Sequence, residues 1–208
     1  MKSLTFKHAT LYLIIALLVS ACTPTQHRDA TADQTITVIT TPHPLSPFNI
    51  AKAHFEVPKS RRDIMMFLST TARIPDWMAY VDGVTVVDYI DHNNYVIKAR
   101  LDLPWPLRNR ELVACVETSF LDNETVINMR NCPDRIPADS TIRVKGLEAQ
   151  WRLHAMSGEL TRVEYSTWID LGGFVPAIGF NLLLKNTTQG SLQKLRNLMQ
   201  SSHATAAY

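Results

Sequence analysis

Three stretches between residues 95 and 132 alternate apolar and polar side chains with a period of two. Nothing else in the chain restricts its fold so strongly. In YVIKARLDL, Tyr95, Ile97, Ala99 and Leu101 alternate with Val96, Lys98, Arg100 and Asp102. Successive side chains of a strand point to opposite faces, so one face is apolar and the other mostly charged. In the next run Leu112, Ala114, Val116 and Thr118 share a face. Ile127 and Met129 fall in phase with them if Asn123-Glu124 is the tip of a hairpin. Strands with one apolar face must be covered.

The rest of the chain supplies that cover sparingly. Strands are expected at 35–41 and 50–57, around the loop PHPLSPFN. Ser60 and Asp63 then stand as a helix cap and its return partner, with Ile64, Phe67 and Leu68 forming an apolar face. RIPDWM breaks this helix, and Trp77 is placed to plug the end of the core. Further strand-like runs cover 84–91, 95–103, 111–121, 124–132, 142–155 and 160–169. Leu192, Leu195, Leu198 and Met199 then recur at helical spacing within 176–201. The order predicts an α+β fold in which a curved antiparallel sheet wraps around a long C-terminal helix. One helix is narrow cover for eight strands. Either side chains fill the interior or an apolar cavity remains.

The first residues read as a targeting segment. Lys2 and Lys7 precede the apolar run LYLIIALLV, which is too short to span a bilayer and has the flanks of a secretory signal. VSAC, ending at Cys22, resembles a bacterial lipobox, which implies cleavage after residue 21 and acylation of Cys22. The other reading is ordinary signal cleavage near Ala21. Thr23 stands where an aspartate would resemble the inner-membrane retention signal, so the expected address is the periplasmic face of the outer membrane. Residues 22–34 are small and polar and read as a flexible tether to a domain at 35–201. Without Lys2 and Lys7 the basic residues fall from 21 to 19, matching 19 acidic ones. No basic run suits nucleic acid, and no metal-binding or phosphate-cradling motif is present.

LPWPLRNREL, IRV at Ile142, TRVEY, and DLGGFVP before the terminal helix together resemble the START (steroidogenic acute regulatory protein-related lipid transfer) domains in order and spacing. The resemblance covers 35–200 and lacks the family's leading helix. It implies a helix-grip fold around one tunnel that holds a lipid, without a cofactor, in a domain expected to be monomeric. The implied tunnel residues are Tyr95, Ile97, Ala99, Leu101, Leu112, Ala114, Val116, Ile127, Met129, Arg143, Trp151, Tyr165, Phe180 and Leu183. Some sterol-binding relatives carry an acid and a base where Ile97 and Val116 stand here, which argues against a sterol. Arg143 either meets an anionic head group or braces the sheet through a carboxylate.

Pro104 and Pro106 stiffen the corner that presents Trp105. Trp105 either faces a membrane, with Arg108 and Arg110 toward head groups, or tucks inward, with Arg110 paired to an acid. Gly172, Gly173 and Phe174, ahead of the helix, complete the expected gate. Cys115 and Cys132 would lie directly opposite each other across an Asn123-Glu124 hairpin, and pair as a disulfide or remain two buried thiols. Two other functions stay open. One is an enzyme of the aromatase/cyclase type using His154 or Tyr165, and the other an envelope scaffold without a ligand.

Overall fold

The computed structural model describes residues 35–138, 140–156 and 159–201. Cys22, the signal segment and the tether lie outside the described residues. Strands β1 (Val38–His43) and β2 (Ser46–Val57) form the first hairpin. Helix α1 (Arg61–Ser69), a 3-10 turn at Thr71–Arg73 and the short helix α2 (Ile74–Trp77) follow. Strands β3 (Val81–Tyr89), β4 (Asn94–Leu101), β5 (Arg110–Phe120), β6 (Glu124–Asn131), β7 (Gly146–Ala155) and β8 (Thr161–Asp170) come next. The 25-residue helix α3 (Ala177–Ser201) closes the fold. All eight strands pair antiparallel in one sheet, in the order β1-β2-β8-β7-β6-β5-β4-β3.

Local chemistry accounts for the helices. Ser60 accepts the Asp63 N–H at 3.2 Å and donates to the Asp63 carboxylate at 2.8 Å, so the expected cap is formed. Ile64 and Phe67 are the buried face of α1. Helix α3 buries Phe180, Leu184, Thr188, Leu192, Leu195 and Met199 at spacings of three and four. Side chains of α3 tie it to β2 and to the residues just before β1. Asn181 accepts from Asn49 N–H at 2.8 Å, and Gln193 from Ile36 N–H at 3.2 Å.

Two details differ from the sequence reading. The expected loop at 42–49 shrinks to a tight turn, because β1 runs on to His43 and β2 already begins at Ser46. Pro42 is tolerated within β1 because β1 is an edge strand and its register is irregular between Thr41 and His43, so a residue without an N–H breaks no ladder. The hairpin between β5 and β6 also turns at Asp122-Asn123 and not at Asn123-Glu124. Leu121 and Glu124 exchange backbone hydrogen bonds of 2.8 and 3.4 Å across it.

The partner register therefore slips by two residues, pairing Val116 with Met129 and Cys115 with Arg130. A two-residue slip preserves which face each side chain occupies. Cys132 then lies diagonal to Cys115, not opposite. The Cα atoms are 5.8 Å apart, and the two sulfurs are joined in a disulfide on the outer face. The bridge spans 17 residues of sequence. Cross-linking a loop of that size stabilises by about 3 kcal/mol through the unfolded chain. Cys115→Ala/Cys132→Ala should lose about that much in a denaturant titration, and an unchanged midpoint would contradict it.

Candidate functional site

The inner face of the sheet, α1, α2 and α3 enclose a cavity of about 390 Å³. That lies within the ~300–1,000 Å³ usual for small-ligand sites. Tyr95, Ile97, Ala99, Leu101, Leu112, Val116, Ile127, Met129, Trp151, Tyr165, Phe180 and Leu183 line it, as the alternation and the resemblance implied. Ala114 shares their face but is packed into the core, fully buried, and does not reach the cavity.

Arg143 lies outside the cavity. It sits on the irregular segment before β7, bound to Glu111 at 3.2 Å and to the carbonyls of Pro133, Ile136 and Pro137. The sequence reading ran this segment into β7 as one strand. The chain instead forms a single parallel bridge between Glu111 and Arg143, which carries the guanidinium to the other side of the sheet.

Several lining residues escaped the sequence reading. Met65 and Leu68 of α1 enter from the side, and Trp77 closes the wall against Trp151 in an edge-on contact of 6.1 Å. Leu147 and Ala149 extend the Trp151 alternation, as Thr167 and Ile169 extend that of Tyr165. That signal was present in the sequence. The contribution of Thr187, Thr188 and Ser191 on α3 was not, because small polar residues on a helix do not announce an inward face.

Neither Asp, Glu, Lys nor Arg contributes to this lining. Burial pushes the phenol of Tyr95 above its ordinary range, helped by the neighbouring Tyr89. Burial does the same to Tyr165, partly offset by a hydrogen bond from Thr167. Both phenols stay neutral at physiological pH. Ser191 accepts the Ala79 N–H at 2.9 Å, and Thr187 donates to the Leu183 carbonyl at 2.8 Å.

At one end of the cavity Leu103 leads into the Pro-Trp-Pro corner. Trp105 is 92% exposed and Arg108 is exposed. Arg110 is buried and meets neither head groups nor an acid but backbone carbonyls. It donates to Leu171 O at 3.1 Å, Arg108 O at 2.6 Å and Gly172 O at 3.4 Å, so one guanidinium clamps the corner to the turn before α3. Burial lowers its pKa, and so, secondarily, does the nearby Arg108. Gly172 and Gly173 both have φ of 71°, a region that favours glycine. Phe174 and Ile178 follow, 95% and 91% exposed. Trp105, Arg108, Gly172, Gly173 and Phe174 thus gather at this end without lining the cavity.

The outer face differs in character. A wider groove of about 760 Å³ there is lined by Glu117, Arg130, Arg135 and Glu148 beside the disulfide. It is open and charged, which suits water better than a lipid. His154 is also outside the cavity, 3.7 Å from Glu124 and 3.6 Å from Glu164. Among the described residues no group of side chains could hold a metal ion, and no helix is long and apolar enough to cross a membrane.

This architecture, an eight-stranded antiparallel sheet gripping a long C-terminal helix, is the helix-grip fold of START domains. The chain superposes on a STAR-related lipid transfer protein from Xanthomonas axonopodis with a TM-score of 0.73 and 19% identity, covering 81% of this chain and 95% of that one. Human StAR-related lipid transfer protein 5 gives a TM-score of 0.72 at 13% identity, covering 95% of both chains. A Streptomyces aromatase/cyclase gives 0.56 at 10% identity, over 76% of this chain and 97% of that one. At these identities the likeness is one of fold.

By sequence, an uncharacterized protein of Pseudomonas aeruginosa is 30% identical over 101 residues, 48% of this chain. The match spans 50% of that relative's length. No protein-family model matches the chain.

Proposed function

We propose that this domain binds one lipid in the inner cavity and carries it between membranes, or senses it, as a membrane-anchored monomer in the cell envelope. The observation that carries the reading is the cavity itself, apolar along its walls and free of charged side chains. A buried, unpaired charge would cost many kcal/mol there, so the enclosed part of the ligand is uncharged. The solved structures of the same fold include proteins described as lipid transfer proteins, which supports this choice. A carrier is favoured over an aromatase/cyclase because His154, one of the two candidate catalytic groups, lies outside the cavity against Glu124 and Glu164, which leaves Tyr165 in the lining without it.

Moving a lipid from bilayer to cavity exchanges one dry surface for another. The ~25 cal/mol per Å² of hydrophobic gain counts only against water and nearly cancels. Exchange is therefore feasible without an energy source. Native mass spectrometry of the detergent-free domain tests the reading, with one bound lipid per chain as the expected result. A ligand-free chain that also extracts no lipid from vesicles would leave the scaffold reading in its place.

The exposed Trp105, Phe174 and Ile178 suit a membrane interface, where an apolar side chain meets head groups. Trp105→Ala should slow lipid exchange with vesicles several-fold and leave the melting temperature unchanged. An unaltered rate would remove Trp105 from the membrane contact.

The lipobox-like VSAC supports an anchor at acylated Cys22, and Thr23 in place of an aspartate favours the outer membrane. Two or more acyl chains are enough for stable anchoring. Cys22→Ser should release the protein from the membrane fraction or leave its signal uncleaved. A mature N-terminus without acyl groups would refute the anchor.

A further inference from the structure

The cavity runs the length of the sheet, and its two ends differ chemically. Strand β4 crosses it from Asn94 to Leu101, seven steps that at about 3.3 Å each separate the ends by roughly 23 Å. The end at Leu101 is lined by Leu103, Leu171 and Leu183, with the partly exposed Tyr80 at its rim, where the Tyr80 carbonyl accepts the Asp102 N–H at 2.9 Å. The opposite end is lined by His92 and Asn93 of the β3–β4 turn and by Thr118 and Phe120 of β5. There the Thr118 N–H donates to Asn93 O at 2.9 Å, which holds turn and strand together. His92 and Asn93 are exposed while lining the cavity, and Phe120 is 53% exposed. Side chains that meet both the cavity and solvent mark a mouth.

We propose that this second mouth holds the polar end of the ligand, with the chain lying along the sheet toward Leu103. The inference rests on the lipid-binding reading and adds an orientation and a head-group subsite to it. Burying a polar group without partners costs several kcal/mol. Along the middle of the cavity Thr187 and Ser191 are already engaged with the protein, and the Leu103 end offers the single phenol of Tyr80 among leucines. At the turn end an imidazole, an amide and a hydroxyl stand beside water. The polar group there keeps part of its hydration and gains hydrogen bonds. Either a neutral or a charged head group fits, because it is never fully desolvated. The ligand class is a single-chain lipid, whose one extended chain spans the distance between the ends.

The test uses palmitoyl lysophosphatidylethanolamine carrying a photoreactive diazirine either on its amine or at the end of its chain. Occupancy is first measured by native mass spectrometry, and cross-linked peptides are then mapped. The amine-linked probe is expected to label residues 89–94 and 117–121, and the chain-end probe residues 101–107 and 180–187. The reverse pattern, or both probes labelling one end, would overturn the orientation.

A second arm does not depend on labelling yield. Asn93→Trp, on an exposed turn where folding is not at stake, should lower occupancy by the amine-linked probe at least five-fold. The same change should spare a chain-end probe with a bare head group. Equal effects on both probes would overturn the subsite. If wild-type protein takes up neither probe nor any other lipid, it is the lipid-binding reading itself that fails.

Discussion

Replacing Glu111 by alanine is expected to destabilise the domain by about 3–5 kcal/mol, as breaking a buried ion pair does. The Glu111 side chain is 4% exposed, with Arg143 Nε at 3.2 Å and Lys98 Nζ at 3.4 Å. Its backbone is engaged as well, donating to Ile142 O and accepting from Val144 N–H at 2.9 Å each. Glu111 thus fastens residues 133–137, through Arg143, and residues 142–144 to the outer face of the sheet. Without the carboxylate two cations are left as close neighbours, one of them mostly buried. Arg143 still reaches the carbonyls of Ile136 and Pro137 at 3.1 and 2.6 Å, but these carry no net charge to balance it. Glu111→Gln keeps an acceptor and should lose less. Urea titration reads both variants, and a midpoint within error of wild type for the alanine would refute the account. Lipid occupancy well below the melting temperature should not change, since this cluster lies outside the cavity.

Met129→Trp is expected to do the opposite, emptying the cavity while the fold survives. Met129 lies between Val116 and Ala149 on the inner face and lines the cavity. An indole there occupies the space of the ligand chain. Overpacking costs about 1–3 kcal/mol, well below the ~5–15 kcal/mol of a typical domain. Purified Met129→Trp should carry no lipid in native mass spectrometry and should not exchange lipid between vesicles. Arg130→Trp is the control. Arg130 is the next residue, on the outer face near Glu117, so its replacement should leave occupancy intact. If Met129→Trp retains its lipid, the ligand is held elsewhere.

Much of the lining was legible in the sequence because a strand has only two faces. Once Ile97 and Ala99 are inward, Tyr95 and Leu101 must follow. The same parity protected the β5–β6 assignment when the hairpin turned one residue earlier than expected. Met129 still faces inward, and the two cysteines still share the outer face, meeting diagonally. Periodicity fails where the ladder stops. Arg143 lies in a segment with one bridge and no alternation, so nothing in its neighbours indicates its side. Arg110 closes a loop whose carbonyl partners, Leu171 and Gly172, are about sixty residues away.

The sequence by itself determined the one-sided strands, the amphipathic terminal helix and hence the need for a covered interior, since each follows from the spacing of neighbours along the chain. Tertiary structure alone decided that the cover leaves a cavity, that α1 forms part of its wall, and that its polar end lies at the β3–β4 turn. Those outcomes depend on where separate elements come to rest against one another. That placement is set by contacts among residues distant in sequence, which no local period encodes.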